Sequence, residues 1–355
     1  MTNKIEFGDC REIMKNWLWD EVKIQTCVTS PPYFGLRDYG TGKWEGGSAD
    51  CDHKVYLGGH GDASKKQLTS EGTQKYLAKN SCPHCGAVRV DEQLGLEQTP
   101  QEYVDNMVEV FRLVRDLLAD DGTLWLNLGD SYAANRSYQV NSTKGGPKHG
   151  PGQSVNGKGS KVPEGLKQKD LIGIPWRVAF ALQADGWWLR QDLIWHKPNP
   201  MPESIRDRCT KAHEYIFLLS KSPKYFFDWK AMQEPSVTKD TRKPYAPGQV
   251  DTRGNGHDRN GGSERTTENA GEFRNRRSVW TVTTKPYKGA HFATFPMDLI
   301  EPCILAGSRP GDIVLDPFMG SGTTAQVALK HGRQYLGCEL NPAYKELQDK
   351  RLKNV

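Results

Sequence analysis

Apolar residues recur at two different spacings along the chain, and the two spacings alternate. Across Pro100–Leu118 they fall every three or four residues, which is the spacing of one face of a helix. The same pattern returns more briefly at Leu171–Ala184, Thr324–His331 and Ala343–Leu352. Runs typical of strands lie between and around these helices: Lys23–Thr29, Thr123–Leu128, Trp188–His196, Glu214–Ser220, Asp312–Leu315 and Gln334–Glu339. This alternation predicts an α/β fold built on a sheet.

Three long polar stretches interrupt this pattern, at about 36–96, 133–169 and 230–288. The second holds seven Lys or Arg residues against one acid and the third holds twelve against seven, although the formal net charge of the chain is only +5. Basic polar loops of this kind suit a phosphate backbone, so we expect double-stranded DNA as a partner. Solvated loops without a partner are the alternative, and charge runs are more often of that kind.

The chain length and the cysteine usage bound the class of protein. The 355 residues can bury a sizeable core, with one large domain and a smaller appended region. No apolar run approaches the roughly 20 residues of a membrane helix, and the first residues lack the apolar stretch of a signal peptide. We therefore expect a cytoplasmic protein, in which the eight cysteines do not form a disulfide framework.

A strand, a glycine turn and the start of a helix follow one another at Ile313–Thr324, with the sequence I-V-L-D-P-F-M-G-S-G-T-T. Gly320 and Gly322 permit positive φ and a close backbone approach. Thr323 and Thr324 can cap the helix, whose amino end suits a carboxylate. The segment is therefore typical of a turn against which a nucleoside cofactor lies.

An acidic residue strengthens this interpretation. Glu339 stands at the end of the next strand, where a carboxylate can accept both hydroxyls of a ribose, and Asn341 can line an adenine site. The turn has no G-x-G-x-x-G pattern, which disfavours a nicotinamide cofactor, and no G-K-[ST], which excludes a P-loop. A plain strand-to-helix turn is the alternative, but the whole context favours S-adenosylmethionine.

A second motif, Ser30-Pro31-Pro32-Tyr33, follows the first buried strand. The two prolines fix φ and hold the Ser30 hydroxyl and the Pro31 carbonyl in a set orientation. Two such acceptors can bind the N–H groups of an aromatic amine and aim its nitrogen lone pair at a methyl sulfonium, while Tyr33 stacks on the base. A proline turn after a strand is the alternative for the motif alone. Together with the glycine turn, the motif favours methyl transfer to a nucleobase amine.

In this order the two motifs resemble the β-class DNA amino-methyltransferases, which are the N4-cytosine and N6-adenine enzymes of restriction–modification and phage systems. The resemblance covers nearly the whole chain. It implies a Rossmann-like, seven-stranded mixed sheet with helices on both faces, base flipping, and direct transfer from S-adenosylmethionine. It also implies a bacterial or phage-encoded protein, and it allows a homodimer and a cognate restriction endonuclease as partners.

The resemblance extends to two further segments. Phe7–Cys10 is similar to the family's N-terminal Gly-Asp segment, in which Asp9 would contact the cofactor's adenine. His291–Pro296 is similar to the segment that holds the methionine end of the cofactor. The cofactor-binding residues that the resemblance implies are Asp9, Cys10, His291, Phe292, Thr294, Phe295, Pro296, Asp316, Pro317, Phe318, Gly320, Ser321, Gly322, Thr323, Thr324, Glu339 and Asn341.

The resemblance predicts the target and, together with a candidate metal motif in 36–96 that is not general in the family, the organisation of the chain. The expected regions are 1–35 with the base clamp, 36–96 as a zinc-binding insertion, 97–229 with the basic loop 133–169, a target-recognition region at 230–288, and a cofactor-binding part at 289–355. Arg274, Arg276 and Arg277 would contact bases or phosphates. In this family S-P-P-Y most often accompanies N4-cytosine and D-P-P-Y accompanies N6-adenine, so Ser30 favours cytosine. The alternatives are N6-adenine, an RNA or protein amine, and a non-catalytic zinc-braced DNA-binding module.

The insertion carries a candidate metal motif, because its ligand types and spacing are those of a zinc knuckle. Cys51 and His53 precede Cys82-Pro-His-Cys85-Gly, and the four side chains would complete a tetrahedral set. His84 is a competing fourth ligand. The stretch has few apolar residues, so a metal would stabilise it, and the absence of an open ligand position indicates a structural zinc ion. Reduced, unrelated thiols are the alternative.

Overall fold

The computed structural model describes residues 2–35, 41–56, 75–77, 81–133, 162, 165–236, 273–284, 295–353 and 355. Most of the basic stretch 133–169 lies outside these described residues, and so do 237–272 of the expected recognition region. Three of the predicted cofactor-binding residues, His291, Phe292 and Thr294, also lie outside them. The regions predicted at these places therefore stay predictions.

Within the described residues, helices and strands alternate as the sequence predicts. The helices are α1 (Cys10–Trp19), α2 (Pro100–Leu117), α3 (Ile174–Ala184), α4 (Met297–Gly307), α5 (Thr323–Lys330) and α6 (Lys345–Leu352). The strands are β1 (Lys4–Phe7), β2 (Ile24–Thr29), β3 (Lys43–Glu45), β4 (Lys54–Tyr56), β5 (Lys75–Leu77), β6 (Val88–Val90), β7 (Leu118–Leu128), β8 (Trp188–His196), β9 (His213–Ser220), β10 (Gln233–Pro235), β11 (Phe273–Asn275), β12 (Val279–Thr281), β13 (Ile313–Asp316) and β14 (Gln334–Glu339).

One large mixed sheet organises the described part of the chain, in the order β1-β14-β13-β2-β7-β9-β8-β12. β9 runs antiparallel to both of its neighbours, and the other pairs are parallel. The expected Rossmann-like mixed sheet is confirmed. The expected number of seven strands is one too few, because β12, in the stretch predicted as target-recognition region, adds an eighth strand beside β8. Three two-stranded pairs, β3–β6, β4–β5 and β10–β11, lie outside this sheet.

The two faces of the sheet bury different helices. Successive residues of a strand point to opposite faces, and Cys27 and Val28 of β2 accordingly belong to separate apolar clusters. The first cluster contains the apolar faces of α1, α2 and α3, and the second contains those of α4 and α5. This sandwich leaves the strand ends at the sheet's edge free to carry chemistry.

The two element boundaries that differ most from the prediction do so for local reasons. β7 begins at Leu118 and not at Thr123, because the chain turns extended directly after α2 and pairs Leu118 with Ile24 before an irregular stretch. α3 begins at Ile174 and not at Leu171, because Gly173 adopts a left-handed conformation with φ of 78° and Pro175 occupies the first turn. Neither change moves a predicted site residue.

Helix α4 approaches the sheet closely at its last residue, Gly307. A Cβ atom there would lie 2.6 Å from the Thr26 hydroxyl oxygen, 2.9 Å from that of Thr123 and 2.9 Å from the Trp125 indole nitrogen. All three neighbours are buried, so they have little room to move away.

We therefore expect Gly307→Ala to lower the free energy of unfolding by about 1–3 kcal/mol, since overpacked cores relax only in part. Urea titration followed by circular dichroism would measure the change. An unchanged or higher unfolding midpoint would show that α4 can move away from the sheet without cost.

Candidate active site

The carboxyl ends of neighbouring parallel strands meet at one edge of the sheet. β2 ends just before Ser30, β13 ends at Asp316 and β14 ends at Glu339. A cleft of about 910 Å³, its open mouth included, lies over these ends. Its lining includes these residues from the two predicted motifs and the following acid: Ser30, Pro32, Pro317, Phe318, Gly320, Ser321, Glu339 and Asn341.

The carboxylate of Asp316 joins the elements that build the cleft. Its Oδ1 accepts hydrogen bonds from the Thr29 hydroxyl at 2.6 Å and the Phe318 backbone N–H at 3.0 Å. Its Oδ2 accepts one from the Thr324 hydroxyl at 2.7 Å. Burial raises the pKa of Asp316 to about 6, against the lowering effect of these donors. Asp316 therefore fixes the glycine turn against β2 and α5.

A second carboxylate, that of Glu339, holds the glycine turn from the other side. Oε2 accepts the Gly320 backbone N–H at 2.7 Å and Oε1 accepts the Asn341 backbone N–H at 2.8 Å. Burial raises the pKa of Glu339 to about 7. Gly320 and Gly322 have φ of 53° and 83°, which a side chain would strain. The turn needs glycine at both positions for its conformation.

One buried hydroxyl in the cleft is left for a ligand. Ser321 lines the cleft and is only 6% exposed. Among the described residues, its Oγ has no hydrogen-bond partner. Buried hydroxyls are normally satisfied, so the Ser321 hydroxyl fits a polar group of a bound molecule.

The other predicted cofactor residues occupy different surroundings. Asp9 and Cys10 line the cleft, but the Asp9 carboxylate also caps α1 and bonds the Arg11 guanidinium at 2.6 Å. Thr323 opens α5, where its hydroxyl accepts a hydrogen bond from Arg351. Phe295 and Pro296 directly precede α4. Thr323, Phe295 and Pro296 are not among the residues that line the cleft, so their contacts with a cofactor stay predictions.

The predicted base clamp divides between the cleft and the protein interior. Ser30 and Pro32 line the cleft, whereas Pro31 is buried. The Pro32 carbonyl accepts a hydrogen bond from Tyr103 at 2.9 Å. The Tyr33 ring lies against Gly129, where a Cβ atom would be 2.5 Å from the ring. Tyr33 is thus fixed behind Ser30 and packed from one side.

The structure adds polar residues that are not among the predicted site residues. Tyr33 Oη bonds Glu214 at 2.8 Å and Asn127 at 3.1 Å, and Lys197 pairs with Glu214. Asn127 and Glu214 lie in β7 and β9, inside runs that otherwise predict ordinary strands. Their polar side chains in buried strands were a signal that the sequence did offer.

The predicted metal ligands lie together in the insertion. One donor atom from each of Cys51, His53, Cys82 and Cys85 lies within 4.8 Å of all the others. The Cys51 and Cys82 sulfurs are 3.6 Å apart, and Cys85 Sγ is 3.4 Å from His53 Nδ1. Gly86, at φ of 75°, turns the chain after Cys85 as a knuckle requires. The donor set of three thiols and one imidazole is one that zinc binds.

The three predicted DNA-binding arginines contact their own chain. Arg274 and Arg277 pair with Glu234 at 2.9 and 3.1 Å, and the Arg276 guanidinium lies 4.7 Å from the centre of the Trp280 ring. These contacts involve β10, β11 and β12. DNA contact by these arginines stays a prediction.

Comparison with known proteins defines the class to which this fold and cleft belong. The N6_N4_Mtase family model, described as DNA methylase, matches residues 24–350. The chain therefore belongs to this DNA methylase family, and it is a DNA methyltransferase of the N4/N6 class. The resemblance inferred from the two motifs is confirmed.

Individual relatives cover most of the chain. It is 41% identical to the Type II methyltransferase M.Cfr9I of Citrobacter freundii over 330 residues, 93% of this chain and 81% of the relative. It is 39% identical to M.SmaI of Serratia marcescens over 350 residues, 98% and 90% of the two chains. The solved PvuII DNA methyltransferase (cytosine-N4-specific) has the same fold, with a TM-score of 0.54 and 17% identity over 99% of this chain and 86% of that chain.

Among the described residues, no helix is both long and apolar enough to cross a bilayer.

Because burial raises the pKa of Asp316, ionisation of its carboxyl group should lower the stability of the folded protein. Because the pKa rises from 3.8 to about 6 on folding, the stability present below about pH 4 is lost as the pH rises through 6. In Asp316→Asn, the amide oxygen can still accept from Thr29, and Thr324 can donate to the Val28 carbonyl instead.

We therefore expect the free energy of unfolding of Asp316→Asn, relative to the unmodified protein, to rise by about 2–3 kcal/mol between pH 4 and pH 7. Denaturant titrations at four pH values would measure it. A difference that stays flat with pH would show that folding leaves the pKa of Asp316 unchanged, and one that falls would show that folding lowers it.

Proposed function

We propose that the protein transfers a methyl group from S-adenosylmethionine to the N4 amino group of cytosine in duplex DNA. The observation that carries the proposal is that Ser30 and Gly320, from opposite ends of the chain, line one cleft. Ser30 belongs to the predicted base clamp, Ser30–Tyr33, and Gly320 belongs to the glycine turn that is predicted to hold the cofactor. A methyl donor and its acceptor must meet in this way for direct transfer.

The cleft residues fit S-adenosylmethionine. Each Glu339 oxygen accepts one backbone N–H and keeps a lone pair with which to accept a ribose hydroxyl. Ser321 offers an unused buried hydroxyl, and the amino end of α5 favours the carboxylate of the methionine part. Gly320 and Gly322 allow the ligand to lie close to the backbone. These features of the chain support the proposal that S-adenosylmethionine binds in the cleft.

The clamp residues would act on the target amine. When bound, S-adenosylmethionine supplies a methyl group activated by a sulfonium. Ser30 Oγ and the Pro31 carbonyl accept hydrogen bonds from the amine, which frees the nitrogen lone pair from the aromatic ring and directs it across the cleft. The base must first leave the duplex, because its amine is otherwise paired. The amine nitrogen takes the methyl group, S-adenosylhomocysteine is the leaving group, and the amine loses one proton to solvent, so no covalent adduct with the protein is needed.

The serine of the clamp favours cytosine over adenine. In the family resemblance, a serine at this position accompanies N4-cytosine and an aspartate accompanies N6-adenine. N6-adenine remains the alternative within the class. Mass spectrometry of nucleosides from DNA incubated with the protein and deuterated S-adenosylmethionine distinguishes the two. Labelled N4-methylcytosine supports the proposal, and labelled N6-methyladenine alone would replace it.

The remaining partners belong to the same proposal. Duplex DNA would lie against the basic stretches 133–169 and 230–288, with Arg274, Arg276 and Arg277 able to contact it after leaving their present partners. The relatives are Type II methyltransferases, which suggests a restriction–modification system and a cognate endonuclease. A homodimer is also part of the family expectation. Location in the cytoplasm of a bacterium, or of a cell that a phage infects, follows from the same setting.

We further propose that Cys51, His53, Cys82 and Cys85 bind one structural zinc ion. The insertion that carries these ligands also forms part of the cleft wall, because its residues Thr41 and Gln93 line the cleft. β3 pairs with β6 between the cleft-lining residues and the ligands. A metal at the far end of this pair would hold the two arms of the insertion together.

The clamp predicts a specific loss for Ser30→Ala. The Ser30 hydroxyl accepts a hydrogen bond from the target amine in the proposed reaction, so its removal should lower the rate of DNA methylation by at least about 100-fold. Because this hydroxyl does not support the glycine turn, the affinity for S-adenosylmethionine should stay unchanged. Isothermal titration measures binding, and transfer of labelled methyl groups measures activity. Wild-type turnover by this variant would remove Ser30 from the mechanism.

Zinc predicts a second, separable result. The purified protein should contain about one zinc ion per chain by elemental mass spectrometry, and Cys82→Ser should remove it and lower the thermal midpoint. The same change at the exposed Cys209, which is outside the cluster, serves as the matched control and should keep the metal. A metal-free wild-type protein of full stability would contradict the zinc site alone.

A further inference from the structure

A line of hydrogen bonds runs from Ser30 away from the cleft and ends on a carboxylate. Ser30 Oγ donates to Tyr33 Oη at 3.3 Å, and Tyr33 Oη donates to Glu214 Oε2 at 2.8 Å. A carboxylate oxygen accepts, and Glu214 Oε2 is the nearer of the two acceptors that face Tyr33 Oη, so the Tyr33 proton goes to Glu214. The Tyr33 oxygen is then free to accept the Ser30 proton. The direction of the whole line is set at its carboxylate end.

The surroundings of Tyr33 hold it in this role. Asn127 Nδ2 donates to the Tyr215 carbonyl at 3.0 Å, which leaves Asn127 Oδ1 facing Tyr33 Oη at 3.1 Å as a second acceptor. Burial, followed by the charge of Glu214, raises the pKa of Tyr33 far above its usual value. The phenol therefore keeps its proton and remains a donor. With Gly129 against its ring, Tyr33 has little freedom to turn.

The carboxylate at the end of the line is itself fixed. Lys197 pairs with Glu214 Oε1, and the side chains are only 18% and 16% exposed. The Lys197 ammonium also lies 4.1 Å from the centre of the Trp195 ring. Desolvating such a pair costs about as much as its attraction returns, so stability alone gives little reason for it. Its position behind the clamp gives another reason.

We propose that Glu214, held by Lys197, is a positioning residue for methyl transfer. Acting through Tyr33, it turns the Ser30 proton away from the cleft, so that Ser30 presents acceptor lone pairs to the amine. A free serine hydroxyl could equally point its proton at the amine and oppose binding. The inference rests on the proposed transfer to an exocyclic amine, but it holds for either target base.

The test uses Tyr33→Phe, Glu214→Gln and the double variant in the full-length protein. Tyr33→Phe keeps the ring and removes the hydroxyl. The amide introduced by Glu214→Gln would offer one oxygen where Tyr33 and Lys197 need two acceptors. Each single variant should lower kcat for methyl transfer by about 10- to 100-fold, the worth of a hydrogen bond to a charged group. In the double variant, Glu214→Gln should add less than about twofold to the loss from Tyr33→Phe, because Glu214 acts through that hydroxyl.

Two readouts separate positioning from loss of structure. The dissociation constant for S-adenosylmethionine should stay within about twofold, because neither residue touches the cofactor turn. Thermal midpoints report folding, and should Glu214→Gln fail to fold, Tyr33→Phe carries the same prediction alone. Glu301→Gln is the matched control: Glu301 pairs with Lys330 and His331 outside the cleft lining, and its variant should turn over normally.

Three outcomes would overturn the inference. Folded single variants with wild-type kcat would show that Ser30 needs no orientation. Losses that multiply in the double variant would show that Glu214 acts independently of Tyr33. A wild-type protein that transfers no methyl group to DNA would overturn the inference together with the proposed function, whereas normal transfer by the wild type and by both variants would overturn the inference alone.

Discussion

The buried carboxylate of Asp316 is the contact on which the cleft depends. It accepts hydrogen bonds from Thr29, at the end of β2, and from Thr324, in the first turn of α5. Ser30 follows Thr29 directly, so the same carboxylate that shapes the glycine turn also sets where the amine clamp begins. A charge with 1% exposure and no cation among these bonds is costly, and its pKa of about 6 reflects that cost. In return, the carboxylate holds two distant chain segments, around Thr29 and Thr324, in one fixed geometry.

The local chemistry of the site could be predicted from the sequence. Glycine is required at positions 320 and 322 because the turn adopts positive φ there. A strand, a glycine turn and a following strand that ends in an acid must place Glu339 beside the turn, since parallel strands end at the same edge. The prolines of the clamp, and the spacing of the cysteines and histidine in the insertion, are equally local. Each of these features can be predicted because it is formed by residues that are close together in the sequence.

The support behind the clamp could not be predicted in the same way. Tyr33 and Glu214 are 181 residues apart, and only the antiparallel placement of β9 beside β7 brings Glu214 to Tyr33. Asp9, which the family resemblance places at the cofactor's adenine, lines the cleft and also binds Arg11, two residues further along the chain. The eighth strand, β12, is three residues long and pairs with β8 through backbone bonds that leave little trace in sequence. Long-range polar pairs and short edge strands depend on topology, which periodicity does not encode.

In the proposed reaction, the cofactor and the target amine meet over the ends of β2, β13 and β14. A crystal structure of the protein with S-adenosylmethionine tests it most directly. We expect the ribose hydroxyls to bond to Glu339, the Ser321 hydroxyl to gain a partner, and the sulfonium methyl group to face Ser30 across the cleft. A cofactor bound elsewhere, or one whose methyl group points away from Ser30, would contradict it.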